Sequence, residues 1–267
     1  MFAIFIWFDN YGRNWYYVGK EGDRMKKLLE RNPLGFALMW IGMYVLFFSV
    51  ADGLSGMLGT EKSVTAPVSV AMTVWLLSWL KGQGKLGDYG VRKGEFSGKT
   101  YLYFLPLVLI VSTNLWGGVT LRYSLLESGL YVVSMICVGI LEEVIFRGLL
   151  FKALCGEDLK WAVVISSVTF GFGHIVNLLN GAELIPTLLQ ICYATAAGFL
   201  FTVIFLRSGS LIPCIVTHSA INSLSAFAGE RSEPMDMLAA AALTAVSFGY
   251  GVWILKHTNA DKKDPSV

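Results

Sequence analysis

The stretch GILEEVIFRGLL, Gly139–Leu150, sets two adjacent glutamates and an arginine inside an otherwise apolar run. Two further apolar stretches carry His174, in TFGFGHIVNLL, and His218 with Asn222, in CIVTHSAINSL. An ionisable group at the centre of a bilayer costs roughly 2.5–3.5 kcal/mol on insertion scales, so such groups are paired, face the interior and serve a function. Helical spacing sorts the first set, because residues four apart share a face while adjacent ones diverge by about 100°. Glu143 is therefore the natural partner of Arg147, an ion pair that serves helix packing whether or not it serves chemistry. Glu142 is left facing elsewhere with no partner from its own helix, and a buried carboxylate without one has no evident packing use. His218 and Asn222, again four apart, present an imidazole and an amide toward one point.

A carboxylate, two imidazoles and an amide are the parts needed to hydrolyse an amide bond. A base takes a proton from water, donors stabilise the developing oxyanion, and an acid protonates the leaving amine. No G-x-S-x-G occurs, and Ser219, which directly follows His218, would face away from it, so water is the expected nucleophile. Glutamate and histidine near a midplane would also suit a proton-coupled transporter, although no inverted repeat is visible and proton relay does not call for an oxyanion pair.

The elements that must position these groups are set by composition. Of 267 residues, 55% are hydrophobic and only 15% charged, with mean hydropathy +0.59, against about 25% charged in a soluble domain. The expected fold is all-α, a polytopic membrane bundle of about eight transmembrane helices around an intramembrane cavity. The segments run approximately over residues 34–51, 64–80, 101–119, 130–150, 161–179, 184–206, 211–228 and 237–255. Pro67 and Pro213 weaken the second and seventh, but proline near a helix start is tolerated.

The loops give an independent test. Arg13, Lys20, Arg24, Lys26, Lys27, Arg31, Lys81, Lys85, Arg92, Lys93, Lys99, Lys152, Lys160, Arg207, Lys256, Lys262 and Lys263 fall on one side, and Lys62, Arg122 and Arg231 on the other. Basic loops stay cytoplasmic, so an even number of spans with both termini cytoplasmic is expected, in a bacterial inner (plasma) membrane. The formal charge of +2 gives no reason to expect a nucleic-acid partner; membrane lipid and a peptide or lipidated peptide are the expected ones.

Residues 1–33 read as a cytoplasmic or interfacial segment, with MFAIFIWF too short to span and Tyr11, Trp15, Tyr16 and Tyr17 forming an aromatic belt. Residues 34–255 form one membrane domain and 256–267 a polar cytoplasmic tail that includes His257 at its start. Cys137, Cys155, Cys192 and Cys214 form no C-x-x-C pair and read as small packing residues. Gly171 and Gly173, and Ala194 with Gly198, read as sites of close helix approach.

The three charged segments together carry a resemblance. EEVIFR fits E-E-x-x-x-R, FGFGH from Phe170 fits F-x-x-x-H, and HSAIN from His218 fits H-x-x-x-N. In that order on successive membrane segments, they resemble the CPBP family of intramembrane proteases: the CAAX prenyl endopeptidases and the bacteriocin-processing relatives also called the Abi family. The motifs span Glu142 to Asn222, about 80 residues and under a third of the chain.

The resemblance implies an endopeptidase in which Glu142 is the general base and His174 helps to bind and orient the water. It implies His218 and Asn222 as the oxyanion site, with Glu143 and Arg147 stabilising the constellation. Its substrate would be a prenylated or lipid-associated carboxyl terminus or a leader peptide; a non-catalytic immunity or scaffold protein on the same fold is the alternative. Members have been described both as metalloproteases and as metal-independent glutamate proteases. Zinc is possible, held by Glu142, His174 and His218, but the H-E-x-x-H of common zinc proteases is absent. The reading favoured here is a glutamate-activated water with no cofactor.

Overall fold

The computed structural model describes residues 19–94, 104–156 and 158–257, with side chains from residue 24 onward. The aromatic amino terminus through residue 18, the first residues of the span expected from Tyr101, and the tail beyond residue 257 lie outside them.

The described elements are helices, joined by turns and one isolated antiparallel bridge between Val119 and Ala228. In chain order they are α1 (Gly19–Arg31), α2 (Pro33–Met57), α3 (Thr65–Gly82), α4 (Leu105–Ser112), α5 (Leu125–Cys155), α6 (Leu159–Gly173), α7 (Leu184–Ser208), α8 (Ile212–Leu224) and α9 (Glu233–His257). Their starts have local causes. Asn32 caps α2 by accepting from the Gly35 N–H at 2.8 Å, with Pro33 in the first turn where no donor is lost. Ser124 and Glu127 close a capping box on α5, and Asp158 accepts from the N–H groups of Lys160 and Trp161 on α6. Gly209, at φ +62°, ends α7 in the left-handed conformation that a side chain would resist.

Five of these elements are long and apolar enough to cross a membrane: α2, α5, α6 with its continuation to Leu179, α7 and α9. The chain is thus a multi-pass integral membrane protein. The other three expected spans fall short of that measure for separate reasons. α3 has 18 residues, but Thr65, Ser69, Thr73 and Ser78 dilute its hydropathy. α4 is a short apolar helix continued by a 3-10 turn to Leu115. α8 has 13 residues, a rise of about 20 Å, and Pro213 sits in its first turn as the sequence allows.

Packing follows two clusters. One gathers Phe36, Trp40, Leu76, Leu80, Leu141 and Ile145 from α2, α3 and α5; the other gathers Leu107, Leu200, Cys214 and Ile254 from α4, α7, α8 and α9. Leu38, Leu46, Val74, Val164 and Phe248 face outward, as apolar residues do when the surroundings are lipid.

Basic side chains tie elements together at one end of the bundle. There Lys152 Nζ donates to the Asp88 carbonyl at 2.7 Å, Arg92 Nε to the Gly209 carbonyl at 2.9 Å, and Arg207 Nη2 to the Leu255 carbonyl at 3.0 Å. Between them these bonds tie the α3–α4 loop to α5 and to the end of α7, and α7 to α9. At the opposite end Glu127 accepts from the Glu61 N–H at 3.1 Å, and Arg231 Nη1 donates to the Thr113 carbonyl at 2.9 Å.

Small residues set the helix approaches. A Cβ at Gly171 would lie 2.7 Å from Thr195 N and 2.8 Å from the Ile191 carbonyl, so α6 and α7 touch backbone to backbone there. Gly198 on α7 likewise faces Phe170 and Arg147, and Gly139 on α5 lies against Ser219 of α8. Gly173 differs from its expectation: nothing lies within 4 Å of where its Cβ would be, because two residues on from Gly171 it points away from α7. Among the cysteines Cys137 and Cys214 pack inside as expected, whereas Cys192 is on an exposed face, where a thiol suits lipid as well as core.

Candidate active site

α5 changes character where its charges begin. From Glu143 to Phe151 it winds as a π-helix, and all nine residues of that stretch are buried. π-helical turns recur at functional sites because they redirect side chains that a regular helix would space evenly.

Glu143 is the centre of the charged cluster. Its Oε1 accepts from Arg147 Nη1 at 3.0 Å, the pair expected from their spacing, and both side chains are fully buried. The same oxygen receives His218 Nδ1 at 2.8 Å, a contact across 75 positions that joins α5 to α8. The Arg147 guanidinium lies 4.0 Å over the Phe170 ring and 5.7 Å from that of Phe201, so aromatic faces take part of its charge. Gly198 leaves the room for this stack: a Cβ there would fall 3.2 Å from Arg147 Nη2.

Glu142 has no partner on its own helix, as expected, but it is not alone. Its Oε1 accepts from the Tyr44 hydroxyl of α2 at 2.5 Å, and its Oε2 lies 3.5 Å from His218 Nε2. His218 therefore stands between two carboxylates, one at each ring nitrogen. A carboxylate only accepts, so the Nδ1 facing Glu143 carries a hydrogen. Nε2, facing Glu142, can then donate only when the ring holds both protons.

His174 ends α6 as its cap residue. Its ring meets the edge of Phe170 at 5.8 Å, and Phe170 meets His218 at 5.7 Å, so one phenyl ring separates the two imidazoles. Asn222 follows His218 by one turn of α8, and its carbonyl accepts from Ser225 Oγ at 2.6 Å. Ser219 turns toward α5, where its hydroxyl donates to the Ile136 carbonyl at 3.3 Å. Remote from all of these, His257 donates from Nδ1 to the Trp253 carbonyl at the exposed end of α9.

The alternative metal set does not converge. Among the described residues no group of three His, Cys, Asp or Glu side chains is placed to hold a metal ion. Three aromatic residues of this site went unassigned in the sequence: Tyr44, Phe201, and Phe170 as a partner of Arg147. Tyr44 did leave a signal, since Phe36, Trp40, Tyr44 and Phe48 form a stripe at four-residue spacing in which it alone carries a hydroxyl.

Compared with known families, residues 124–224 match the family model described as type II CAAX prenyl endopeptidase Rce1-like. That segment contains Glu142, Glu143, Arg147, His174, His218 and Asn222, and leaves out Tyr44. No curated protein and no solved structure matches the chain.

Proposed function

From the match of residues 124–224 to Rce1-like type II CAAX prenyl endopeptidases, we propose that this protein is an intramembrane endopeptidase that hydrolyses a peptide bond with a water activated by Glu142. The observation that carries the reading is the grip on His218, with Nδ1 on Glu143 and Nε2 facing Glu142. The Nδ1 bond joins α5 to α8 and sets the ring so that Nε2 is turned toward the carboxylate assigned as base.

Glu142 is the general base. It takes one proton from water, oriented with the help of His174, as the water oxygen forms its bond to the scissile carbonyl carbon. The carbonyl oxygen becomes an oxyanion that accepts from His218 and from the Asn222 amide. Collapse of the tetrahedral intermediate breaks the C–N bond, and Glu142 returns the proton to the leaving amine. Glu143 fixes the ring orientation of His218, and Arg147 balances Glu143.

The substrate is a peptide, and the family description favours a prenylated carboxyl terminus, the CaaX end whose cysteine carries the lipid; a leader peptide is the other form. The eight-segment reading is retained, with α3, α4 and α8 completing the bundle. The basic end, which holds Arg92, Lys152 and Arg207, is on the cytoplasmic side, with both termini there, in a bacterial inner membrane. No cofactor is required.

The test is turnover of a quenched-fluorescent prenylated CaaX peptide by the full-length protein in liposomes. His218→Ala and Asn222→Ala should each lower kcat about 100- to 1,000-fold, the scale of one oxyanion donor, with a smaller change in KM. Wild-type turnover in both variants would remove the oxyanion assignment, and no cleavage by the wild type would remove the protease reading for this substrate.

A further inference from the structure

We propose that Tyr44 is a positioning residue that holds the Glu142 carboxylate for its work as base, an inference that rests on the protease reading above. Tyr44 lies on α2, 98 positions before Glu142 and outside the segment that matches the family. Its hydroxyl donates to Glu142 Oε1 at 2.5 Å, while Oε2 is the oxygen turned toward His218 Nε2. With one oxygen anchored, rotation of the carboxylate would break a charge-assisted hydrogen bond. The oxygen left to meet water is then the one beside His218.

The anchor is itself held. The Tyr44 ring packs tilted against Phe48, centroids 4.5 Å apart, and α2 lies against the π-helical stretch of α5 that begins at Glu143. The stripe positions on either side, Trp40 and Phe48, are buried rings that fill core without reaching a carboxylate. Phenylalanine would meet the packing need at position 44 equally well. The hydroxyl makes the difference, and Glu142 is its partner. Glu142 is thereby held from α2 through Tyr44, with His218 of α8 3.5 Å from its other oxygen.

Tyr44→Phe keeps the ring and removes the donor. With the same prenylated CaaX peptide and the full-length protein in liposomes, it should lower kcat on the order of 10- to 100-fold, the effect of a reacting group held about 1 Å out of place. KM should stay at its wild-type value, while the thermal midpoint falls only by what one buried charge-assisted hydrogen bond contributes. Glu142→Asp shortens the carboxylate by one methylene and takes it out of reach of the hydroxyl. In that background Tyr44→Phe should cost nothing further. Wild-type kcat in Tyr44→Phe, alongside an inactive Glu142→Gln, would overturn this inference and leave the protease reading standing. A change confined to KM, or an undiminished loss in the Glu142→Asp background, would overturn it as well. A wild type that cleaves nothing would overturn both.

Discussion

Glu142→Gln is expected to lower turnover about 100- to 10,000-fold, the range that a positioned general base contributes, while the protein expresses and unfolds as the wild type does. The amide has the size of the carboxylate, and its oxygen can still accept from the Tyr44 hydroxyl that now meets Oε1 at 2.5 Å. What it lacks is the ability to take water's proton. The buried Glu143–Arg147 pair is left intact, so the fold has no reason to loosen. Initial rates on the prenylated peptide, set beside a thermal unfolding curve for each protein, measure both halves of the expectation. Comparable cleavage by a well-folded Glu142→Gln would take Glu142 out of the mechanism.

Arg147→Met is expected to destabilise the protein by about 3–5 kcal/mol, because removing one member of a buried ion pair leaves the Glu143 charge with only the His218 Nδ1–H. The contact is 3.0 Å long with both side chains fully buried, so no solvent is at hand to relieve Glu143. Combining Arg147→Met with Glu143→Gln removes both charges and should recover part of the loss. The glutamine oxygen can still accept from His218 Nδ1–H, which keeps α5 joined to α8. A double-mutant cycle on thermal stability reads the coupling, and strict additivity would mean that the two side chains do not meet.

How far these features were legible in the sequence depended on the range of the interaction. Glu143 and Arg147 are one helical turn apart, and their pairing survives the π-helical winding of α5. Gly171 and Gly198 were legible as close approaches because an absent side chain leaves few other uses. The bond from His218 to Glu143 was not, since it spans 75 positions and depends on how α8 lies against α5. Nor was the Tyr44 contact, for the same reason: the aromatic stripe on α2 announced a packed face but not which helix it meets. Segment 211–228 runs past the regular helix of α8 because its apolar composition continues through the 3-10 turn Ser225–Phe227. Gly173 was grouped with Gly171 on composition alone, although two residues apart on a helix point to different neighbours.

The central claim is that Glu142 activates water without a metal. Its most direct test is zinc content and turnover of the prenylated peptide, measured on the same liposome preparation before and after prolonged chelation. The account predicts little bound zinc in active protein and turnover that survives the chelator. Stoichiometric zinc that tracks activity, is stripped by the chelator and vanishes in His218→Ala would contradict it, making Glu142 a ligand rather than the base.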